Sequence, residues 1–314
     1  MIFCKRFFTF MAMLIMIVIS TGCRDMLHDV NEISTDVPEL KSIRMIDIND
    51  VSNFGTEGLD PYRINAYETT YLLWYEVAQW AKENGFNIIK PAEDGDTGFT
   101  GKPGVYAYFP VTGIHPADIF VWCNALSVKN GLTPVYYKDK DFLEILKDAA
   151  DIAKENYRTE NDLIHDMNGN PLIEYDFSLP VTFYQNLNAN GYRLPTVDEW
   201  QYAAQGARRT NEDKSYAYSG SNDMNEVAAS TKLRIPGSLK PNGIGAYDMS
   251  GNICEYSINE DTVNFTVTDS AIHCYGGHYL QGNSEIYSVQ RLYDLKGIIK
   301  IYSNLFGFRL AQSI

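Results

Sequence analysis

Basic residues and cysteine are both scarce. Lys and Arg together number 26 against 40 Asp and Glu, which leaves a formal charge of −14. A surface of that sign repels phosphate, so nucleic acid is not expected as a partner. There are five cysteines, and none follows Cys274. Histidine also numbers five, at 28, 115, 165, 273 and 278, with no H-x-x-x-H spacing. No long low-complexity tract interrupts the chain. What it does have is length and apolar content enough for a sizeable core: 314 residues, 45% hydrophobic, with 22 Tyr.

The first residues have their own pattern. Lys5 and Arg6 precede an apolar run from Phe7 to Ile19, so residues 1–22 read as an export signal. The run is too short and too early for a spanning helix. Ser20-Thr21-Gly22-Cys23 closes it. Small residues before a Cys at this distance resemble a bacterial lipobox, which predicts lipidation of Cys23. Residues 23–45 are polar and unpatterned and read as a tether. The expected location is therefore the cell envelope, lipid-anchored to a membrane and facing the periplasm or the surface. Cys4 leaves with the leader and Cys23 takes the lipid. Cys123, Cys254 and Cys274 remain, an odd number for an oxidising compartment. One disulfide can form among them, and spacing does not choose the pair.

Residues 46–314 read as one domain of mixed α+β class. Tyr62 to Glu68 alternates like a strand, and Thr69-Thr70 can cap a helix running to about Asn84. Leu73, Val77, Trp80 and Ala81 share one face of it, and Gly85 ends it. A second helix is predicted over Pro116–Lys129, with Pro116 at its first position and His115 at the cap. Residues 138–180 read as a surface insertion. Within it, Lys140 to Tyr157 is charged and helix-prone, with Phe142, Ile145, Leu146, Ala149 and Ile152 on one side. Thr196-Val197-Asp198-Glu199 is a capping box, and Arg193 before it is expected to meet a carboxylate in the core.

Lys240 to Tyr256 reads KPNGIGAYDMSGNICEY. Asn242-Gly243, Gly245 and Ser250-Gly251-Asn252 are turn formers. Asn252 and Glu255 then offer an amide oxygen and a carboxylate three residues apart. That is oxygen chemistry Ca²⁺ accepts, and the two are candidate metal ligands. The other reading has Asn252 closing a turn and Glu255 paired with an Arg. Asn225 and Glu226 are weaker candidates of the same kind.

Four blocks stand in order: YRLPTVDEWQYAAQGA (Tyr192 to Ala207), the Lys240 to Tyr256 stretch, YGGHY (Tyr275 to Tyr279) and GFRLA (Gly307 to Ala311). Together they resemble the formylglycine-generating enzyme, or sulfatase-modifying factor, superfamily over roughly Arg63 to Ala311. The resemblance implies an α+β fold related to C-type lectins, with much irregular structure. It also implies an oxidase whose copper sits between two Cys thiolates shortly after the Gly-Gly block, five residues apart. Gln281 and Ile286 hold those positions here, so no copper is expected and no catalytic residue is assigned. An iron-dependent branch relies on a His cluster this chain lacks. A third branch, in pyoverdine maturation, is neither selected nor excluded.

What remains is the fold used as a surface. The segment after the Gly-Gly block supplies His278, Tyr279, Gln281, Asn283, Tyr287, Arg291, Tyr293 and Asn304 as candidate contacts for a protein or small-molecule ligand. Tyr and Asn give large contacts and adaptable hydrogen bonds. Two alternatives stand beside this one: a superfamily enzyme with a rebuilt site around His278, Gln281 and Arg291, and a surface protein diversified by a retroelement.

Overall fold

Thr70 decides where the first long helix begins. Its backbone is extended (φ −80, ψ 156), and its side chain accepts the Leu73 N–H at 3.3 Å. Helix α1 (Tyr71–Glu83) comes next in the chain and buries Tyr71, Trp74, Val77 and Ala81. Gly85, in the left-handed region at φ +76, turns the chain away. Helix α2 (Pro116–Lys129) starts behind His115, whose Nδ1 accepts the Ala117 N–H at 3.1 Å. Asp118 in its first turn is turned inward and accepts N–H groups of Ile89 and Lys90 at 2.7 and 3.1 Å. Pro116 through Ser127 are all buried, so α2 crosses the core. Trp74 of α1 stacks on Trp122 of α2 with ring centroids 5.3 Å apart, and Phe308 meets both edge-on.

The structure is a computed structural model and describes residues 43–52, 59–95, 97–98, 100–152, 154–155, 175–176, 181–208, 210–213, 215–259, 264–267, 272–280 and 305–314. Leu40–Ile314 forms one compact unit. Its start precedes the expected boundary at 46, because Ile43 and Met45 already pack on the core. Cys23 lies outside the described residues.

Nine strands frame the site: β1 (Met45–Ile48), β2 (Tyr62–Asn65), β3 (Tyr136–Tyr137), β4 (Val181–Gln185), β5 (Cys254–Ile258), β6 (Asn264–Val267), β7 (Ile272–Tyr275), β8 (Phe306–Gly307) and β9 (Ala311–Ser313). They form three sheets, ordered β1-β2-β9, β6-β4-β3 and β7-β5-β8. Both neighbours of β2 run antiparallel to it. In the third sheet β7 is antiparallel to β5, whereas β8 is parallel to it. Helix α3 (Val197–Ala204) carries the expected capping box, with Thr196 and Glu199 each bonding the other's backbone N–H. A second core gathers around α3, where Trp200, Ala203, Tyr62, Ile64, Met249 and Tyr275 pack together.

The insertion departs from expectation. No α-helix forms over the described part of 140–157, and only the short 3-10 turn Ala149–Asp151 is helical. Asp139 is the reason. Its carboxylate accepts backbone N–H groups of Asp141, Leu143 and Glu144, a local closure that competes with helical bonding. Phe142 takes φ +56 within that turn.

Candidate functional site

Three of the four sequence blocks meet at one buried carboxylate. Glu255 on β5 accepts from Arg309 Nε and Nη2, both at 2.5 Å, and from Trp200 Nε1 at 2.8 Å. Arg309 spends its remaining donors on backbone carbonyls: Asn65 and Ala66 at 3.2 and 3.3 Å, and Tyr247 at 2.9 Å. Tyr275, at the start of the remaining block, stacks on Trp200 with centroids 5.3 Å apart. Blocks that look like an active-site signature are thus the joinery of the core.

A second layer lies beside this pair. Asn252, at φ +60, donates to Glu68 at 2.5 Å and accepts the Arg234 N–H at 2.9 Å. Glu68 also accepts the Ile253 N–H at 3.3 Å. Asp248, at φ +57, accepts the Gly237 N–H at 2.6 Å. Three carboxyl groups therefore surround one guanidinium. Burial, then the charges of Asp248 and Glu255, push Glu68 well above the carboxylate range. Burial raises Asp248 to about 6. Gly251 next to Asn252 sits so close to Ala229 that an added Cβ would lie 2.3 Å from its carbonyl oxygen.

These bonds engage both candidate metal ligands. Both Glu255 oxygens face the Arg309 guanidinium, and the Asn252 oxygen already accepts a backbone N–H. A cation there would have to displace an arginine, so the donor set does not fit Ca²⁺. Among the described residues no three His, Cys, Asp or Glu side chains gather as metal ligands. Glu226 pairs with Lys240 at 2.5 Å, and Asn225 bonds Asp223 at 3.1 Å. Cys254 and Cys274 do lie together, yet both are fully buried in the core and closed to substrate.

The expected binding segment is described only at its base. His278 and Tyr279 are half-buried, and Leu280 is 62% exposed. His278 Nδ1 accepts the Leu280 N–H, and the Tyr279 N–H reaches the Asn252 carbonyl at 3.0 Å. Gln281, Asn283, Ile286, Tyr287, Arg291, Tyr293 and Asn304 lie outside the described residues. The placement of the two ends is informative. β7 runs antiparallel to β5 and finishes with Tyr275 opposite Glu255; β8 starts with Phe306 opposite Cys254. The segment therefore leaves and returns at the same end of one sheet, from strands on either side of β5. Two strand spacings put those ends roughly 10 Å apart.

Sequence reasoning missed two features. Glu68 gave one signal, a lone acid in the otherwise apolar and polar-neutral run Ala66 to Tyr71. A cavity of about 640 Å³ gave none: Gln185, Asn190, Arg193 and Glu199 of one stretch line it together with Leu59 and Ser313, which come from distant parts of the chain. Its wall includes the bidentate pair of Arg193 with Glu199, both bonds at 2.6 Å.

The sulfatase-modifying factor enzyme 1-like domain matches residues 16–314. The chain belongs to that family. Chaperone protein LppX of Paenibacillus barcinonensis is 28% identical over 220 residues, which cover 63% of this chain. The chain spans 62% of that relative's length. CarF shares 22% identity at a TM-score of 0.60, covering 87% of this chain and 94% of its own. Treponema denticola variable protein 1 shares 20% at 0.51, covering 87% and 92%. These likenesses show the α+β fold of the family, with short strands and much irregular chain. Among the described residues no helix is long and apolar enough to cross a membrane.

Proposed function

We propose that this family member is a lipid-tethered, non-catalytic binding protein of the cell envelope, and that its working face is the segment from His278 to Asn304. One observation carries the reading: both ends of the segment spring from the same end of the β7-β5-β8 sheet. Connections between strands of a rigid scaffold are where folds carry variable contacts. Two facts support the absence of oxidase chemistry. Gln281 and Ile286 stand where the family's thiolates would be, and the cysteines that remain are buried. The name of the LppX relative, a chaperone protein, favours a polypeptide as the partner.

Photo-crosslinking tests this. A photoreactive residue replaces Leu280 at the base of the segment or Leu143, 85% exposed in the insertion, as control. A discrete adduct from position 280, absent from 143 and lost when 281–304 is exchanged for a Gly-Ser linker, is expected. Equal adducts from both positions, or none from 280, would overturn it. Incubation with a Cys-x-Pro-x-Arg peptide, copper, oxygen and reductant tests the enzymatic alternative. Conversion of the peptide Cys to an aldehyde would establish that alternative and sink this reading.

A further inference from the structure

Strand β4 ends at Gln185, opposite Tyr136 of β3. The chain then turns, with the Asn188 N–H on Asn186 Oδ1 at 3.1 Å, and comes back at Arg193, which bridges Ala311 of β9. Residues of that turn, of β9 and of the start of α3 line the cavity of about 640 Å³. Sites for small ligands have volumes of this order.

The most buried polar groups of the lining are Gln185, Arg193 and Glu199. Arg193 and Glu199 satisfy each other. Glu199 accepts both guanidinium bonds and the Thr196 N–H, and the guanidinium also reaches the Leu194 carbonyl and Ser313 Oγ. The pair brings no net charge to the cavity. Gln185 is different. It is 3% exposed, and among the described residues its Oε1 has no hydrogen-bond partner. A buried acceptor left open costs stability, and a donor from a ligand would satisfy it. Asn190 holds the Thr133 N–H on its Oδ1 at 2.9 Å, so what its amide has left to offer is chiefly the Nδ2 donor. Apolar groups complete the lining: Leu59 and Ala189 are buried, whereas Leu187 and Ile314 are 46% and 59% exposed.

We propose that this cavity binds a short neutral peptide segment in extended form. A peptide group carries an N–H and a C=O on opposite sides, which answer the open acceptor of Gln185 and the donor of Asn190. Apolar side chains of the segment cover Leu187 and Ile314. A charged head finds no counter-charge inside, because the ion pair is closed and Asp60, the remaining charged residue of the lining, stands in water. A sugar ring finds no face to stack on, because none of the described lining residues is aromatic. The site is separate from the 281–304 face. Thr196 bridges Ile258 at one end of β5, whereas β8 meets β5 at Cys254 and Glu255, so roughly 13 Å of strand lies between them. The inference goes beyond the binding reading and stands without it.

The full chain, carbon-13-labelled at Leu and Ile methyl groups, is titrated with blocked tripeptides, acetyl-X-Leu-X-amide with X as Ala, Val, Ser or Asn. Saturable shifts are expected at the Leu187 and Ile314 signals, assigned by their loss in Leu187→Val and Ile314→Val, and none at Leu143. Exchange of 281–304 for a Gly-Ser linker should leave the titration unchanged. Gln185→Leu should weaken binding about tenfold. Its melting temperature should not fall, since the variant removes an unsatisfied acceptor. Leu187→Ser, at an exposed position that does not endanger folding, should weaken binding as well. No saturable shift with any of the peptides up to about 10 mM would overturn the site. So would tighter binding of N,N′-diacetylchitobiose than of every peptide, or affinity unchanged in both Gln185→Leu and Leu187→Ser.

Discussion

Arg309 and Glu255 share two hydrogen bonds with neither side chain touching solvent. Such a pair is a weak source of net stability but a costly thing to break, since removing one partner strands the other's charge in the core. Glu255→Gln should therefore cost about 3–5 kcal/mol in urea unfolding. Arg309→Lys should cost a comparable amount, because an ammonium cannot reproduce the planar fork that also reaches Asn65, Ala66 and Tyr247. A loss under about 1 kcal/mol for either would mean the pair is open in solution.

Two glycines separate steric cost from conformational cost. Gly251 combines φ +80 with a site where a methyl group would meet the Ala229 carbonyl at 2.3 Å. Gly85 has φ +76 and nothing within 4 Å. Gly85→Ala should lose about 1 kcal/mol, the left-handed penalty alone. Gly251→Ala should lose clearly more, and the order of the two denaturation midpoints checks it.

Acidity should stabilise this protein over part of its range. Burial raises Asp118 to about 7 and Asp248 to about 6, and it raises Glu68 well above the ordinary value. For a carboxyl whose folded pKa is raised, the folded chain holds a proton the unfolded chain has released. That contribution is fully present below the unfolded value near 4 and is lost as pH rises through the folded value. Stability should climb by on the order of 4 kcal/mol between pH 8 and pH 5. Equilibrium denaturation at half-unit intervals measures it, and a flat or falling trend from 8 to 5 would contradict the burial of these groups.

Caps should behave additively. Thr70→Ala and Thr196→Ala each remove a side-chain acceptor from a helix start, and each should cost about 1 kcal/mol. Serine at either position should recover most of it. Their starts lie on different helices, so the double variant should show the sum.

Local rules made the helices legible. Thr70, Gly85, Pro116 and the Thr196–Glu199 box mark boundaries within the chain segment itself, and the structure puts helices where they point. The insertion failed the same treatment because Asp139 captures three N–H groups before a helix can start, and apolar spacing does not register that competition. At Asn252 and Glu255 the sequence offered two readings. Choosing between them needed Arg309, 54 residues downstream of Glu255, and Glu68, 184 residues upstream of Asn252. A partner at that separation is invisible to any local pattern. The cavity beside Arg193 was hidden for the same reason.

The first and last strands of the fold, β1 and β9, lie against opposite sides of β2. Two strand spacings across and a few residues along separate where β1 begins from where β9 finishes, roughly 15 Å in all. Five or six linker residues would span that gap. The topology therefore tolerates circular permutation: Ser313 joined to Met45, with the chain opened between 281 and 304. Such a molecule would carry the free ends on the face proposed to bind, and fusing it there into a host protein would leave the core undisturbed.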